Sequence, residues 1–168
     1  MKIDLRELEE GENESLFEES PEELHIEDAA LHFADAIRTR LTTFKLGDSY
    51  SADGESAFQV RQECARCLEP FDLHLTSRFR FVFQKGRPDR MEGDEDETLI
   101  WLDDGAGEID LGEQVKDYIL LEIPISPTCS ESCAGLCPLC GQNLNVHQCE
   151  CKRETFDPRW EALRALKE

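Results

Sequence analysis

The chain has 168 residues, 39% of them hydrophobic, and its 38 acids against 18 bases give a formal charge of -20. Phosphates repel so acidic a surface, which argues against DNA or RNA as a partner of the whole molecule and in favour of solubility and a basic protein. Length and apolar content allow one modest core, with or without a small appended module.

Residues 1–28 open with Ile3 and Leu5, a candidate edge strand, and continue as an acidic stretch that contains Ser20-Pro21. Such composition predicts a mobile or loosely docked segment. Met1-Lys2-Ile3-Asp4-Leu5-Arg6-Glu7 lacks the apolar stretch of a signal peptide and is too acidic for a transit peptide. No apolar run approaches the roughly 20 residues that span a bilayer. A cytoplasmic protein with no membrane partner is expected, and thiols stay reduced there.

A β-rich domain is expected over 29–127. From Leu31 to Phe83 the apolar pattern has a period of two, the strand signal. Phe71, Leu73, Leu75, Ser77, Phe79, Phe81 and Phe83 share one face, with Asp72, His74, Thr76, Arg78 and Arg80 on the other. Ile37/Thr39/Leu41 and Phe58/Val60 repeat the arrangement, which predicts an antiparallel sheet or open barrel. Gly47-Asp48-Ser49 and Asp53-Gly54-Glu55 supply turn chemistry. The acid-rich stretch 86–97 reads as a loop, and Leu99-Ile100-Trp101-Leu102 as a short buried strand. Asp110 with Glu113 forms a capping-box pattern for a helix near 111–122, which Pro124 and Pro127 stop. A cysteine-rich module follows over 128–153. Residues 154–168 predict a second short helix, with Asp157 as N-cap, Pro158 at the first helical position and Trp160, Leu163 and Leu166 on its apolar side. The fold class is therefore α+β, with a C-terminal zinc-ribbon-like module and two short helices.

Eight cysteines at close spacing in a reducing compartment point to metal before disulfide. They fall into three clusters: Cys64-x-x-Cys67; Cys129-x-x-x-Cys133; and Cys137-Pro138-Leu139-Cys140-Gly141 followed by Cys149-Glu150-Cys151. Structural zinc takes four ligands tetrahedrally, and Cys-x-x-Cys lets both sulfurs reach one ion. Pro138 fixes φ inside its turn, and Gly141 tolerates the positive φ that lets N–H groups point at sulfur. Two Cys₄ zinc sites are expected: Cys137, Cys140, Cys149 and Cys151 for a local ribbon, and Cys64, Cys67, Cys129 and Cys133 for a second site. Cys129 and Cys133 could instead serve the ribbon, and His147 could replace Cys149 or Cys151. An iron–sulfur cluster is the other metal reading.

No catalytic site is expected. His25, His32, His74 and His147 pair with no nucleophile by spacing, and the chain lacks a phosphate loop or a serine elbow. All-cysteine sites rarely keep the open position of a zinc enzyme, so neither enzyme activity nor a small-molecule substrate is expected. Across residues 36–88 nine bases stand against six acids, so this segment is +3 and the rest of the chain -23. Arg38, Arg40, Arg61, Arg66, Arg78 and Arg80 make either an ordinary solvated sheet face or a local surface for RNA.

The segment Glu63-Cys64-Ala65-Arg66-Cys67-Leu68-Glu69-Pro70-Phe71 resembles the Cys-x-Arg-Cys-Leu-x-Pro-Phe signature of the YceD family. Gly135-Leu136-Cys137-Pro138-Leu139-Cys140-Gly141-Gln142-Asn143-Leu144-Asn145, with Cys149 and Cys151, resembles that family's C-terminal cysteine motif. The opening Met1-Lys2-Ile3-Asp4-Leu5, Gly107-Glu108-Ile109-Asp110-Leu111 and Asp157-Pro158-Arg159-Trp160 agree as well. The family is named for accumulation of the 23S ribosomal RNA of the large subunit. The resemblance implies a non-catalytic role in biogenesis of that subunit, with a ribosomal precursor, rRNA or a basic ribosomal protein as partner. A zinc-ribbon regulator of transcription and a thiol redox or zinc-sensing protein are the competing readings.

Overall fold

The computed structural model describes residues 1–27, 31–86 and 99–151. They form two compact units, Met1–Gln62 with Phe71–Ile125, and Glu63–Pro70 with the described part of Ser126–Glu168. The expected loop beyond Gly86 and the expected helix over 154–168 lie outside the described residues.

The elements are β1 (Lys2–Asp4), β2 (Gly11–Glu19), β3 (His32–Phe33), β4 (Ile37–Leu46), β5 (Ser49–Glu63), β6 (Pro70–Lys85), β7 (Leu99–Leu102), β8 (Glu108–Asp110) and α1 (Gly112–Glu122). One sheet runs in the order β2-β4-β5-β6-β7, with β3 also on β5, while β1 and β8 make a separate pair. Its order is an open path, so no closed barrel forms among the described residues. The sheet is mixed rather than antiparallel, because β7 lies parallel to β6 with Leu99 opposite Val82. Period two specifies a strand but not its direction.

Two further expectations are corrected. Part of the acidic stretch is a full strand: β2 pairs antiparallel with β4 from Gly11↔Lys45 to Glu19↔Ile37. Glu12, Glu14, Leu16 and Glu18 project outward while Phe17 packs on the core, so high charge hides an ordinary alternation. Asp53-Gly54-Glu55 is not a turn but the middle of β5, with Gly54 opposite Leu41. The turn between β4 and β5 is Gly47-Asp48 alone, and Gly47 takes the positive φ of 58° that a two-residue hairpin requires.

The core gathers Leu41, Val60, Phe79, Phe81, Phe83, Leu111, Val115 and Ile119, all buried. Phe79 and Phe81 meet Tyr118 of α1 at ring distances of 5.9 and 5.7 Å. The buried hydroxyls of Thr39 and Ser56 satisfy each other at 2.7 Å. The capping box does not form. Leu111 is the N-cap and has no side-chain capping bond. Asp110 instead ends β8 opposite Lys2, and its carboxylate accepts the Gly112 N–H at 2.9 Å. Ile123 leaves α1 extended ahead of Pro124, as a residue before proline prefers. No helix among the described residues is long and apolar enough to cross a membrane.

Among the described residues, every member of that core belongs to the first unit. In the second unit the buried hydrophobic side chains among the described residues are Cys64, Cys67, Cys133 and Cys137.

Candidate metal centres

Cys64 and Cys67 occupy the knuckle between β5 and β6. The Cys64 N–H donates to the Glu69 carbonyl and the Leu68 N–H to the Cys64 carbonyl, both at 2.9 Å. Closing so tight a turn puts Leu68 at a φ of 61°, a conformation uncommon outside glycine. The Ala65 N–H donates to the Pro127 carbonyl at 2.8 Å, which lays the Cys129–Cys133 turn against this knuckle. The sulfurs of Cys64 and Cys133 are then 3.8 Å apart, and those of Cys67 and Cys129 3.7 Å. A tetrahedral ion with sulfurs at about 2.3 Å holds them about 3.8 Å from one another. A disulfide needs about 2.05 Å. None of the eight cysteines forms a disulfide.

The second group is Cys137, Cys140, Cys149 and Cys151. Gly141 at a φ of 73° returns its N–H to the Cys137 carbonyl, and the Cys137 N–H donates to the Gln142 carbonyl, both at 2.8 Å. In each group the four sulfurs lie within 4.8 Å of one another, so both could hold a metal ion. His147 belongs to neither group, and its backbone N–H donates to the Asn143 carbonyl at 3.1 Å.

Within each group the thiols are electrostatically unequal. Burial pushes Cys64 up, but the N–H groups of Cys129, Cys67 and Arg66 aimed at its sulfur prevail and bring it down to about 6. The Cys140 and Leu139 N–H groups likewise bring Cys137 to about 6. Cys129 is pushed up to about 12 by the neighbouring Cys133 sulfur and by burial, and Cys151 to about 12 by Cys140 and by burial. Four sulfurs so close cannot all be anionic without a cation among them, and each group offers the donor set that a divalent ion could take.

The six arginines divide. Arg66 belongs to the first group's frame, donating to the carbonyls of Glu131 at 3.2 Å and Cys133 at 3.1 Å. Four others stand on the exposed sheet face in cross-strand ion pairs: Arg38–Glu18 at 3.3 Å, Arg61–Asp72 at 3.5 Å, Arg78–Glu55 at 2.7 Å and Arg80–Asp53 at 2.5 Å. Arg40 lies opposite Glu55 in the register and has no carboxylate within ion-pair distance among the described residues.

Sequence reasoning missed Asn143 and Asn145. The Asn145 amide donates to the Cys133 sulfur at 3.3 Å, and its oxygen accepts the Ala134 N–H at 2.7 Å. Asn143 accepts from the Asn145 backbone at 3.0 Å and donates to Glu69 at 3.4 Å. The only sequence signal was their place within the second cysteine motif.

A family model described as "Large ribosomal RNA subunit accumulation protein YceD" matches residues 52–167, a span that contains all eight cysteines. An uncharacterised protein of Mycobacterium tuberculosis is 31% identical over 151 residues, which cover 86% of this chain and 68% of that protein. The chloroplastic large ribosomal RNA subunit accumulation protein YCED homolog 1 of Zea mays is 38% identical over 126 residues, 60% of this chain and 43% of the relative. Its Arabidopsis thaliana counterpart is 41% identical over 61 residues, 36% of this chain and 19% of the relative. No solved structure matches the chain.

Proposed function

The chain belongs to the YceD family, and from that premise we propose that it is a non-catalytic factor in biogenesis of the large ribosomal subunit. Its plant relatives carry large ribosomal RNA subunit accumulation in their names. The observation that carries the reading here is that the family match contains both four-cysteine groups. In this reading each group holds one zinc ion in a zinc-ribbon-like module. Four thiolates fill a tetrahedral shell and leave no position for a substrate or an activated water. The metal therefore shapes a surface and carries out no reaction.

The partner in this reading is a basic ribosomal protein, shielded before it meets RNA by a cytoplasmic chain with a formal charge of -20. The cross-strand pairing of Arg38, Arg61, Arg78 and Arg80 supports a structural charge ladder, so the proposal places no rRNA contact on them. The test is the ratio of large- to small-subunit rRNA in cells depleted of this protein and rescued with wild type or with Cys64→Ser/Cys137→Ser. A ratio that falls on depletion, recovers with wild type and stays low with the variant is expected. A ratio unmoved by full depletion would overturn the reading.

A further inference from the structure

Only the Cys129/Cys133 half of the first group is adjacent to the second group in sequence, but the connection between the groups is closer than that adjacency requires. The loop over 141–148 joins the two ligand pairs of the second group, Cys137/Cys140 and Cys149/Cys151. That loop folds back upon the first group. The Leu144 N–H donates to the Gly135 carbonyl at 2.9 Å, and Leu136 forms a β-bridge with Asn143. The Leu136 N–H donates in turn to the Arg66 carbonyl at 3.0 Å, inside the first knuckle. At the loop's far side Asn145 aims its amide at the Cys133 sulfur, while Asn143 holds Asn145 through its backbone N–H and its side-chain amide at 3.0 and 2.9 Å.

We propose that Asn145 is a positioning residue for Cys133 as ligand of the first group's ion, and that filling the second group strengthens metal binding by the first. A hydrogen bond to a metal-bound sulfur fixes its direction and withdraws charge from it. Outer partners of this kind change metal affinity by about 10- to 100-fold. Asn145 can act only while the loop is held in place. The loop is held at both ends by the second group's ligands, so an ion there freezes it and an empty group releases it. No other described side-chain amide donates to a sulfur of the first group. The inference rests on the two-zinc reading above.

The test uses the full chain loaded with cadmium-113, whose resonance reports thiolate ligation site by site, together with a chelator competition. Wild type should give two resonances, the first group's being the one lost in Cys64→Ser. Asn145→Ala should shift that resonance, leave the other in place, and weaken the first group about 10- to 100-fold. Asn145→Asp keeps an oxygen for the Ala134 N–H but loses the donor, so it should weaken the first group at least as much. Cys149→Ser/Cys151→Ser should empty the second group and weaken the first to a similar degree. Two wild-type resonances with the first group unmoved in Cys149→Ser/Cys151→Ser would overturn the coupling and leave the zinc reading standing. Affinity kept in Asn145→Asp would reduce Asn145 to a loop cap and overturn its role. No resonance in wild type would overturn the zinc reading and the coupling with it.

Discussion

The ring of Phe79 lies across Gly54 and fills the space that a side chain on Gly54 would need. Gly54 is buried in the middle of β5, opposite Leu41, and Phe79 is 5% exposed. An aromatic ring over a strand glycine restores the packing that the glycine lacks. A methyl group at this position must push the ring into Phe81 and Tyr118, its neighbours at 5.3 and 5.9 Å. Gly54→Ala should therefore cost about 1–3 kcal/mol, the usual penalty of overpacking. Urea unfolding followed by tryptophan fluorescence would read it as a lower midpoint with an unchanged slope. A wild-type midpoint would mean that the ring yields freely and that glycine is not required there.

Removal of metal should affect the two units differently. All the residues of the hydrophobic core lie in Met1–Gln62 and Phe71–Ile125. Among its described residues the other unit buries mainly cysteine, and a small module held in that way depends on its metal. Stripping the protein with a strong chelator should abolish amide-exchange protection over 63–70 and 126–151 and preserve it in β4, β5 and β6. Protection retained throughout after complete metal loss would show that the thiols and backbone bonds hold the second unit unaided.

The sequence was legible wherever a single physical signal dominated. The period of two placed Phe79, Phe81 and Phe83 on the buried face and Arg78 and Arg80 on the exposed one, because pleating alone decides that alternation. Pairwise cysteine spacing likewise favoured, while leaving Cys129, Cys133 and His147 open, the two groups of four that the sulfurs form. Where two signals competed, the local one misled. Asp53-Gly54 carries turn chemistry, yet Phe79 arrives from β6 to pack on it, a contact 25 residues away in sequence. β2 was hidden because glutamates occupy its outward positions, although Ser15 and Phe17 keep the period. Asp110 and Glu113 have capping-box spacing, but pairing of Asp110 with Lys2 draws that residue into a strand. Asn145 was invisible for another reason: its partner, Cys133, stands in a different turn, and no short-range pattern encodes that meeting.

Metal affinity should rise steeply with pH, and the sign follows from the thiols. In the metal-free protein Cys129 stands at about 12 and Cys67 above its ordinary 9.0, so both are protonated at neutral pH. An ion entering the first group must displace those protons, and each proton released raises the apparent affinity tenfold per pH unit. Cys64, at about 6, is already a thiolate at pH 7 and adds its own proton only as the pH falls through that value. The logarithm of the first group's affinity should therefore climb by at least about two per unit between pH 7 and 8 and more steeply below about 6. Chelator competition across that range measures it. A flat profile would mean that binding does not require thiolates and would count against sulfur ligation.

The acidic edge of the sheet is the natural place to test contact with a basic partner. Glu12 and Glu14 project outward from β2 beside the exposed Leu16, and neither forms an ion pair among the described residues. Replacing them should leave the core intact, since β2 is held by backbone pairing with β4 and by Phe17. Glu12→Lys/Glu14→Lys changes the local charge by four. If this edge meets the partner, association with a basic ribosomal protein should slow, because charge complementarity acts chiefly on the rate of encounter. The same variant should also lose most of the salt dependence of that rate, as screening then has less attraction to weaken. Stopped-flow association at two ionic strengths distinguishes this from a general loss of fold, which circular dichroism would detect. Unchanged rates at both ionic strengths would remove β2 from the interface and direct the search to the remaining acidic surface.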